Sequence, residues 1–527
     1  MFSSVWSSIK MEISSIWSMA FSFAFATIIV AIYAWKILNW IWLKPKKVEK
    51  LLRQQGLSGS SYKLFHGDTK EISRMNKEAS SRAIPVSDNI TSRILPFEHH
   101  IISKYGKNSF MWMGPTASIF ITDPSFIKEI FYKHEIFQKF QRNPLIRLFI
   151  NGMVLYEGEQ WFKVRNIANP AFHLDKLKDM LPQLYISCSD MVEKWKTLVS
   201  EKESYELDVW PHIQTLTADV ISRTAFGSNF EEGRQIFELV REQLRLSVES
   251  LQYVYVPGWR FLPTATNRKL KANYNEVQKL IKGVINKREE ALKVRRVRND
   301  DLLGLLMESN YKAVQHKEAG MSLQEVIEEC KLFYIAGQET TASLLVWTMI
   351  LLSIHPHWQE RAREEVFQVS GSQVPIFDDL NKLKVVTQIL YEVLRLYPPA
   401  AMLTRINVKE TKLGEIVLPP GIVLLLPIIK VHQDPEYWGD DAEVFNPERF
   451  SEGISKATKN NQVAFFPFTW GPRICIGQNF ALMEAKLALA IILRNFSFQL
   501  SPTYIHVPAR RLTLYPQHGA QIILHKI

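Results

Sequence analysis

The segment Phe468-Thr-Trp-Gly471-Pro-Arg473-Ile-Cys475-Ile-Gly477 sets a cysteine between glycines, two residues after an arginine. Glycines at 471 and 477 permit a tight loop that can approach a planar ligand closely. Downstream, Phe480, Leu482, Met483, Ala485, Leu487, Ile491 and Ile492 recur at helical spacing, so Cys475 is predicted just before a helix N-terminus. The free amides and the dipole at such an end favour anionic sulfur, and Arg473 adds positive charge alongside. A thiolate with no second cysteine or histidine nearby does not suit zinc, which takes three or four protein ligands. It suits haem iron held on one axial side by cysteine. Cys188 and Cys330 lack such a setting and read as inert, buried, small apolar residues.

A second group lies at Ala336-Gly337-Gln338-Glu339-Thr340-Thr341. Ser322 and Glu325 have capping-box spacing, and the helical pattern they begin continues without proline to Ile354, stopped by His355-Pro356. Glycine in mid-helix costs about 0.5–1 kcal/mol against alanine, so a packing or functional reason is expected, and a flat ligand against the helix would be one. Thr340 can turn its hydroxyl to the carbonyl four residues back, loosening the helix and leaving a groove for oxygen and water. Glu339 beside it could deliver protons. An ordinary buried polar helix is the other reading. The apolar run from Ala342 is too short for a membrane span.

Trp161 and Arg165, at i and i+4, could bind a carboxylate together; an exposed arginine beside a core tryptophan is the alternative. Glu392 and Arg395 form an i, i+3 pair on another helix, with Arg449 in the proline-bound stretch Asn446-Pro-Glu-Arg449-Phe450.

These residues need a large scaffold, and 527 residues with 46% apolar content can supply one. No repeat or long Gly/Ser linker divides the chain, and three scattered cysteines argue for a reducing compartment. From Ile13 to Trp35 no residue is charged, enough to span about 30 Å of hydrocarbon. A cleavable leader would carry its positive charge first; here Lys36, Lys44, Lys46, Lys47 and Lys50 follow, with Trp35, Trp40 and Trp42 as an interfacial belt. The expected organisation is a membrane anchor over 1–43 (span about 13–35), a basic hinge over 44–60 and one body over 61–527. The positive-inside rule puts that body in the cytosol. A net charge of +11 suits anionic lipid or an acidic protein; basic residues are dispersed, so nucleic acid is not expected as a partner.

Phe110–Thr122 is predicted as a hairpin, Ile416–Leu418 with Ile422–Leu426 as another, and Gln521–His525 as a closing strand. Residues 175–315 read as mostly amphipathic helix ending in the mixed run Lys287–Asp301, which is assigned no site.

The order Phe-x-x-Gly-x-Arg-x-Cys-x-Gly resembles the haem-binding signature of the cytochrome P-450 superfamily, at Phe468, Gly471, Arg473, Cys475 and Gly477. The resemblance implies a mainly α fold with small β-sheets (α+β), with haem b between the long central helix and the cysteine loop. Cys475 is then the axial ligand of iron, and Ala336–Thr341 matches the oxygen-activation motif, with Glu339 in the acidic place and Thr340 after it. Trp161, Arg165 and Arg405 would meet haem propionates, and Glu392, Arg395 and Arg449 would join in a buried charge cluster. Residues 138–159 would cover the pocket, with walls at Ala336, Met402, Leu403 and Leu514. The implied activity is that of a monooxygenase using oxygen and NADPH-derived electrons. No Gly-x-Gly-x-x-Gly opens a helix after a strand, so a separate membrane-bound flavoprotein reductase is the expected partner. Its docking face is expected on the thiolate side, where Lys163, Arg165, Lys176 and Lys178 add charge; plain solvated surface is the other reading. Location on the endoplasmic reticulum membrane follows. Phrases such as Glu329-Cys-Lys-Leu-Phe-Tyr-Ile-Ala-Gly-Gln-Glu-Thr-Thr341 resemble the plant clan that includes secologanin synthase, whose members oxidise iridoids, gibberellins and triterpenoids. An oleanane-type triterpenoid is the expected substrate. A haem-thiolate isomerase or dehydratase, against which Thr340 argues, and a non-enzymatic haem binder are the rival classes.

Overall fold

The computed structural model describes residues 2–527 except 88, 141–142, 200–202, 252, 295–300, 316–319 and 372. Part of the mixed run Lys287–Asp301 therefore lies outside the described residues. Helices dominate, and four small sheets are present among the described residues.

The apolar helix Phe2–Leu38 contains the predicted span, and its side chains from Ile16 to Leu38 are exposed. It runs through a π-turn at Asn39–Leu43 into the helix Lys44–Gln54, so most of the segment expected as a hinge is ordered helix docked on the body. Its basic residues do not repel one another, because Glu49 sits among them and pairs with Lys46 at 2.9 Å and Arg53 at 3.1 Å. Glu49 also accepts from Tyr62 N, and the Tyr62 hydroxyl donates to the carbonyl of Ile41 within the π-turn. Trp40 and Trp42 of the interfacial belt meet the rings of Phe65 and Tyr62, each at 6.3 Å.

The body is built around one helix, Leu323–Ile354, of 32 residues and about 48 Å. Its capping box is formed: Ser322 Oγ accepts from Glu325 N at 3.2 Å, and Glu325 Oε2 accepts from Ser322 N at 2.8 Å. Although long and apolar enough to cross a membrane, it is mostly buried inside the protein. Around it pack the helices Val209–Phe226, Ala265–Lys293, Lys384–Leu396 and Gln478–Asn495.

The strands Phe110–Met113 and Thr116–Phe120 pair as predicted, turning at Gly114 with φ +61°. They begin a five-stranded sheet that continues through Val423–Leu426, Leu403–Asn407 and Phe137–Gln138. The second predicted hairpin is wrong in its partners. Ile416–Leu418 turns back at Gly414 onto Thr411–Leu413, while Val423–Leu426 lies between Thr116–Phe120 and Leu403–Asn407. Pro419-Pro420 cannot donate backbone hydrogen bonds, and Asn407 takes over that turn, donating to the carbonyls of Leu418 and Pro419 and accepting from Ile422 N. Gln521–Lys526 is the central strand of a three-stranded sheet, between Phe496–Leu500 and the unpredicted Ser204–Asp208.

Candidate active site

Cys475 lies on a loop three residues before the helix Gln478–Asn495, where the spacing predicts it. The loop closes through Cys475 N donating to Phe468 O at 3.0 Å and Thr469 Oγ1 donating to Arg473 O at 3.2 Å. Gly471, at φ +73°, is in the left-handed region that favours glycine; Gly477, at φ −91°, is not. Burial pushes the Cys475 thiol upward, opposed by the amide of Gly477 and the charge of Arg165. The charge expected from Arg473 goes elsewhere: its guanidinium pairs with Glu157 and donates to the carbonyls of Met153 and Tyr156.

On the central helix, Thr340 Oγ1 donates to Ala336 O at 2.8 Å, the predicted back-bond. Ala336 and Thr340 are accessible, although Ile335, Gln338 and Thr341 around them are buried. Of the packing and functional reasons expected for the helix glycine, packing is the one the structure shows, against a helix and not a flat ligand. A Cβ on Gly337 would lie 2.6 Å from the side chain of Ile221, so Gly337 serves close packing against Val209–Phe226, and Ala336 is the small residue of the open face. Glu339 accepts from Thr513 Oγ1 at 3.4 Å; burial raises its pKa, and the charges of Arg241 and Arg511 oppose that. Phe172 joins the two walls, stacked on Phe333 at 5.5 Å and edge-on to Phe480 at 6.4 Å.

Cys475, Lys139 and Glu339 each have accessible side chains and yet feel strong burial. Such atoms line an enclosed space rather than the outer surface. At its edge, Arg405 is 3% exposed, donates to Thr404 O at 2.8 Å and lies over the ring of Phe131. Burial and then the charge of Arg473 lower the pKa of Arg405 to about 10. Burial also lowers Lys139, with Arg405 and Arg473 pushing the same way. Trp161 and Arg165 share one helix, Gly158–Ala168, and Arg473 stacks on Trp161 at 4.8 Å.

The family model for cytochrome P450 matches residues 95–522. This chain is a cytochrome P450. It is 57% identical over 498 residues to cytochrome P450 72A397 of Kalopanax septemlobus, covering 94% of this chain and 96% of the relative. To cytochrome P450 CYP72A219 of Panax ginseng it is 55% identical, covering 95% and 98%. To the 11-oxo-beta-amyrin 30-oxidase of Glycyrrhiza uralensis it is 52% identical, covering 95% and 97%. As a cytochrome P450 it is a haem-thiolate monooxygenase, supplied with electrons from NADPH through a reductase.

The residues of this P450 fit haem. One sulfur opens onto the enclosed space with Arg165 beside it, and the basic side chains of Lys139, Arg405 and Arg473 gather at its edge around the carboxylate of Glu157. Two propionates would offset most of that excess of positive charge. Of the expected pocket walls, Ala336, Met402 and Leu403 keep accessible surface. Leu514 does not: it is fully buried, its N donating to Pro399 O and its carbonyl accepting from Ser343.

Behind the site, Glu392 takes two bonds from Arg395, at 2.7 and 2.8 Å, with both side chains fully buried, and one from Asn446 N. Arg449 reaches Glu392 at 3.7 Å, but its closer partner is Asp441 at 2.8 Å, a residue that nothing in the sequence marked. Lys139, Glu157 and Phe172 were missed for the same reason, since each acts through the fold and none belongs to a local motif. Glu484 on the Gln478–Asn495 helix is fully buried with neither oxygen hydrogen-bonded, and burial pushes its pKa well up, moderated by Thr341. Among the basic residues expected to face a reductase, Lys163 is engaged with Glu325 at 3.1 Å, and Arg165 acts on Cys475 instead.

Proposed function

We propose that this P450 oxidises a large apolar plant terpenoid of the oleanane triterpenoid type. The supporting observation is 52% identity, along nearly the whole of both chains, to a relative named for oxidising 11-oxo-beta-amyrin. Apolar surface from Ala336, Met402 and Leu403 suits such a skeleton. When bound, haem supplies oxygen activation, and anionic sulfur favours cleavage of the O–O bond.

Cys475 is the residue that offers that sulfur, and the amide of Gly477 and the charge of Arg165 are the groups that favour its thiolate. Coordination deprotonates a thiol that burial otherwise keeps neutral. Arg165, Arg405 and Arg473 hold the rim by charge, Trp161 gives its ring to Arg473, and Lys139 lies beside them. Phe468 and Gly477 shape the loop. Thr340 presents a hydroxyl at the open face, where it orients water, and Glu339 moves protons to that water. Glu392, Arg395 and Arg449 brace the loop from behind.

The anchor places the enzyme on the endoplasmic reticulum membrane with its body in the cytosol, because the lysines cluster after the span. A flavoprotein reductase in the same membrane is the electron donor. Microsomes holding this chain and such a reductase should oxidise an oleanane triterpene when given NADPH. Turnover of iridoids or gibberellins alone would replace the substrate assignment with that class.

A further inference from the structure

Glu329 lies seven residues before Ala336, two helical turns away, and so shares the face on which Ala336 and Thr340 are accessible. Glu329 is nevertheless fully buried, with Gly152 and Met153 set against its carboxylate. Its Oε1 accepts from Met153 N at 2.6 Å, while Oε2 has no hydrogen-bond partner. Contact is so close that a Cβ on Gly152, at φ +80°, would come within 2.6 Å of Oε1. The other end of the same residue is held by Arg473, which donates to Met153 O at 3.3 Å. One residue thus ties the oxygen-motif helix to the cysteine loop.

A second tie lies five residues earlier. Lys331, also fully buried, donates to Leu148 O at 3.2 Å and pairs with Glu328 at 2.7 Å. Glu328 in turn accepts from Tyr274 and Gln278 of the Ala265–Lys293 helix at 2.8 and 2.7 Å. Leu145 and Leu148 pack with Leu246 and Leu270 in a small apolar cluster of their own, separate from the main core. Two buried polar side chains on one helix turn therefore grip the segment 148–153 at Leu148 O and Met153 N.

We propose that Glu329 and Lys331 are positioning residues that hold Leu148–Met153 closed over the pocket, so that release of these two bonds governs entry of bulky molecules. This rests on the reading that the space beside Ala336 and Thr340 is the substrate site. Small molecules pass under the closed cover, and large ones wait for it to lift. Neither side chain touches substrate; both act through the cover backbone.

The haem-loaded full chain is compared with Glu329→Leu, with Glu329→Gln, and with Lys331→Met combined with Glu328→Gln, which leaves no uncompensated buried carboxylate. Two readouts are taken: hydrogen exchange of peptides covering 148–154, and stopped-flow association of imidazole and of 4-phenylimidazole, followed by the Soret shift. Loss of one such bond should raise local opening, and with it exchange and 4-phenylimidazole association, by about tenfold, with imidazole unchanged. Glu329→Gln keeps an acceptor for Met153 N and should behave as the parent. Unchanged exchange and association in haem-loaded variants would overturn the proposal, as would Glu329→Gln matching Glu329→Leu. If both disruptive variants lose haem while Glu329→Gln keeps it, the pair belongs to the fold and the proposal also fails. Failure of 4-phenylimidazole to shift the parent's Soret band would instead count against the pocket reading.

Discussion

Thr340 Oγ1 points back along its own helix to the carbonyl oxygen of Ala336, 2.8 Å away, on an accessible stretch in the middle of a helix that is mostly buried. A threonine bonded this way draws a carbonyl out of the helical ladder and keeps its own oxygen free to accept. Thr340→Ala removes that acceptor while leaving the apolar packing of the helix intact. Product formed per NADPH consumed should fall by about tenfold or more, with peroxide released in its place. Parallel assays of NADPH, peroxide and product check this, and unchanged coupling would refute the role given to Thr340.

Cys475→Ser keeps the loop geometry, since the loop is closed by the backbone of Cys475 and not by its sulfur. The reduced carbon monoxide complex of the parent should absorb at the thiolate-specific Soret position, and the serine protein should not. Persistence of that band in Cys475→Ser would remove Cys475 from the iron.

Arg395 and Glu392 are both fully buried, whereas Arg361 and Glu448 form an ion pair of similar length at the surface. Arg395→Met leaves Glu392 with one backbone donor and the distant Arg449, a loss of about 3–5 kcal/mol for a broken buried pair. Arg361→Met should cost less than about 1 kcal/mol. Thermal unfolding of the two variants side by side tests the difference, and equal midpoints would sink it.

Burial raises the carboxyl of Glu329 from an ordinary 4.5 to about 8, with Glu328 and Glu325 adding to the effect and the Met153 amide opposing it. The folded protein therefore holds a proton here that the unfolded chain releases above its ordinary value. Stability from this group is full below about pH 4.5 and is lost as pH rises to about 8, on the order of 5 kcal/mol in all. Glu329→Gln has no such loss. Its melting temperature relative to the parent should rise between pH 5 and pH 8 and level off above; a pH-independent difference would contradict the shift.

The cysteine loop, the capped central helix and the Thr340 back-bond were legible because each is written in neighbouring residues: glycine and arginine around Cys475, Ser322 with Glu325, a threonine four after an alanine. Gly337 was legible as an anomaly but not in its cause, since Ile221 lies more than a hundred positions away. Strand partnership failed at Ile416–Leu426 for a related reason. Alternation marks a strand, yet it does not say which neighbour takes its hydrogen bonds, and Pro419-Pro420 sent the chain across to another sheet. Charges were least legible of all. Arg473 looks like a companion of the sulfur in the motif, but Glu157 and two carbonyls from residues 153–156 claim it, and Lys139 enters the cationic rim with no motif to announce it.

The continuous helical path from the anchor through the π-turn at Asn39–Leu43 to Gln54, with Tyr62 fastened to Ile41, makes a bracket rather than a tether. With the apolar helix set in a bilayer, as proposed, such a bracket would limit the height and lean of the body, which a flexible tether would leave free. Encounters with the proposed reductase in the same bilayer would then be a search in a plane, and lengthening the bracket by one helical turn would lift the docking face by about 5 Å.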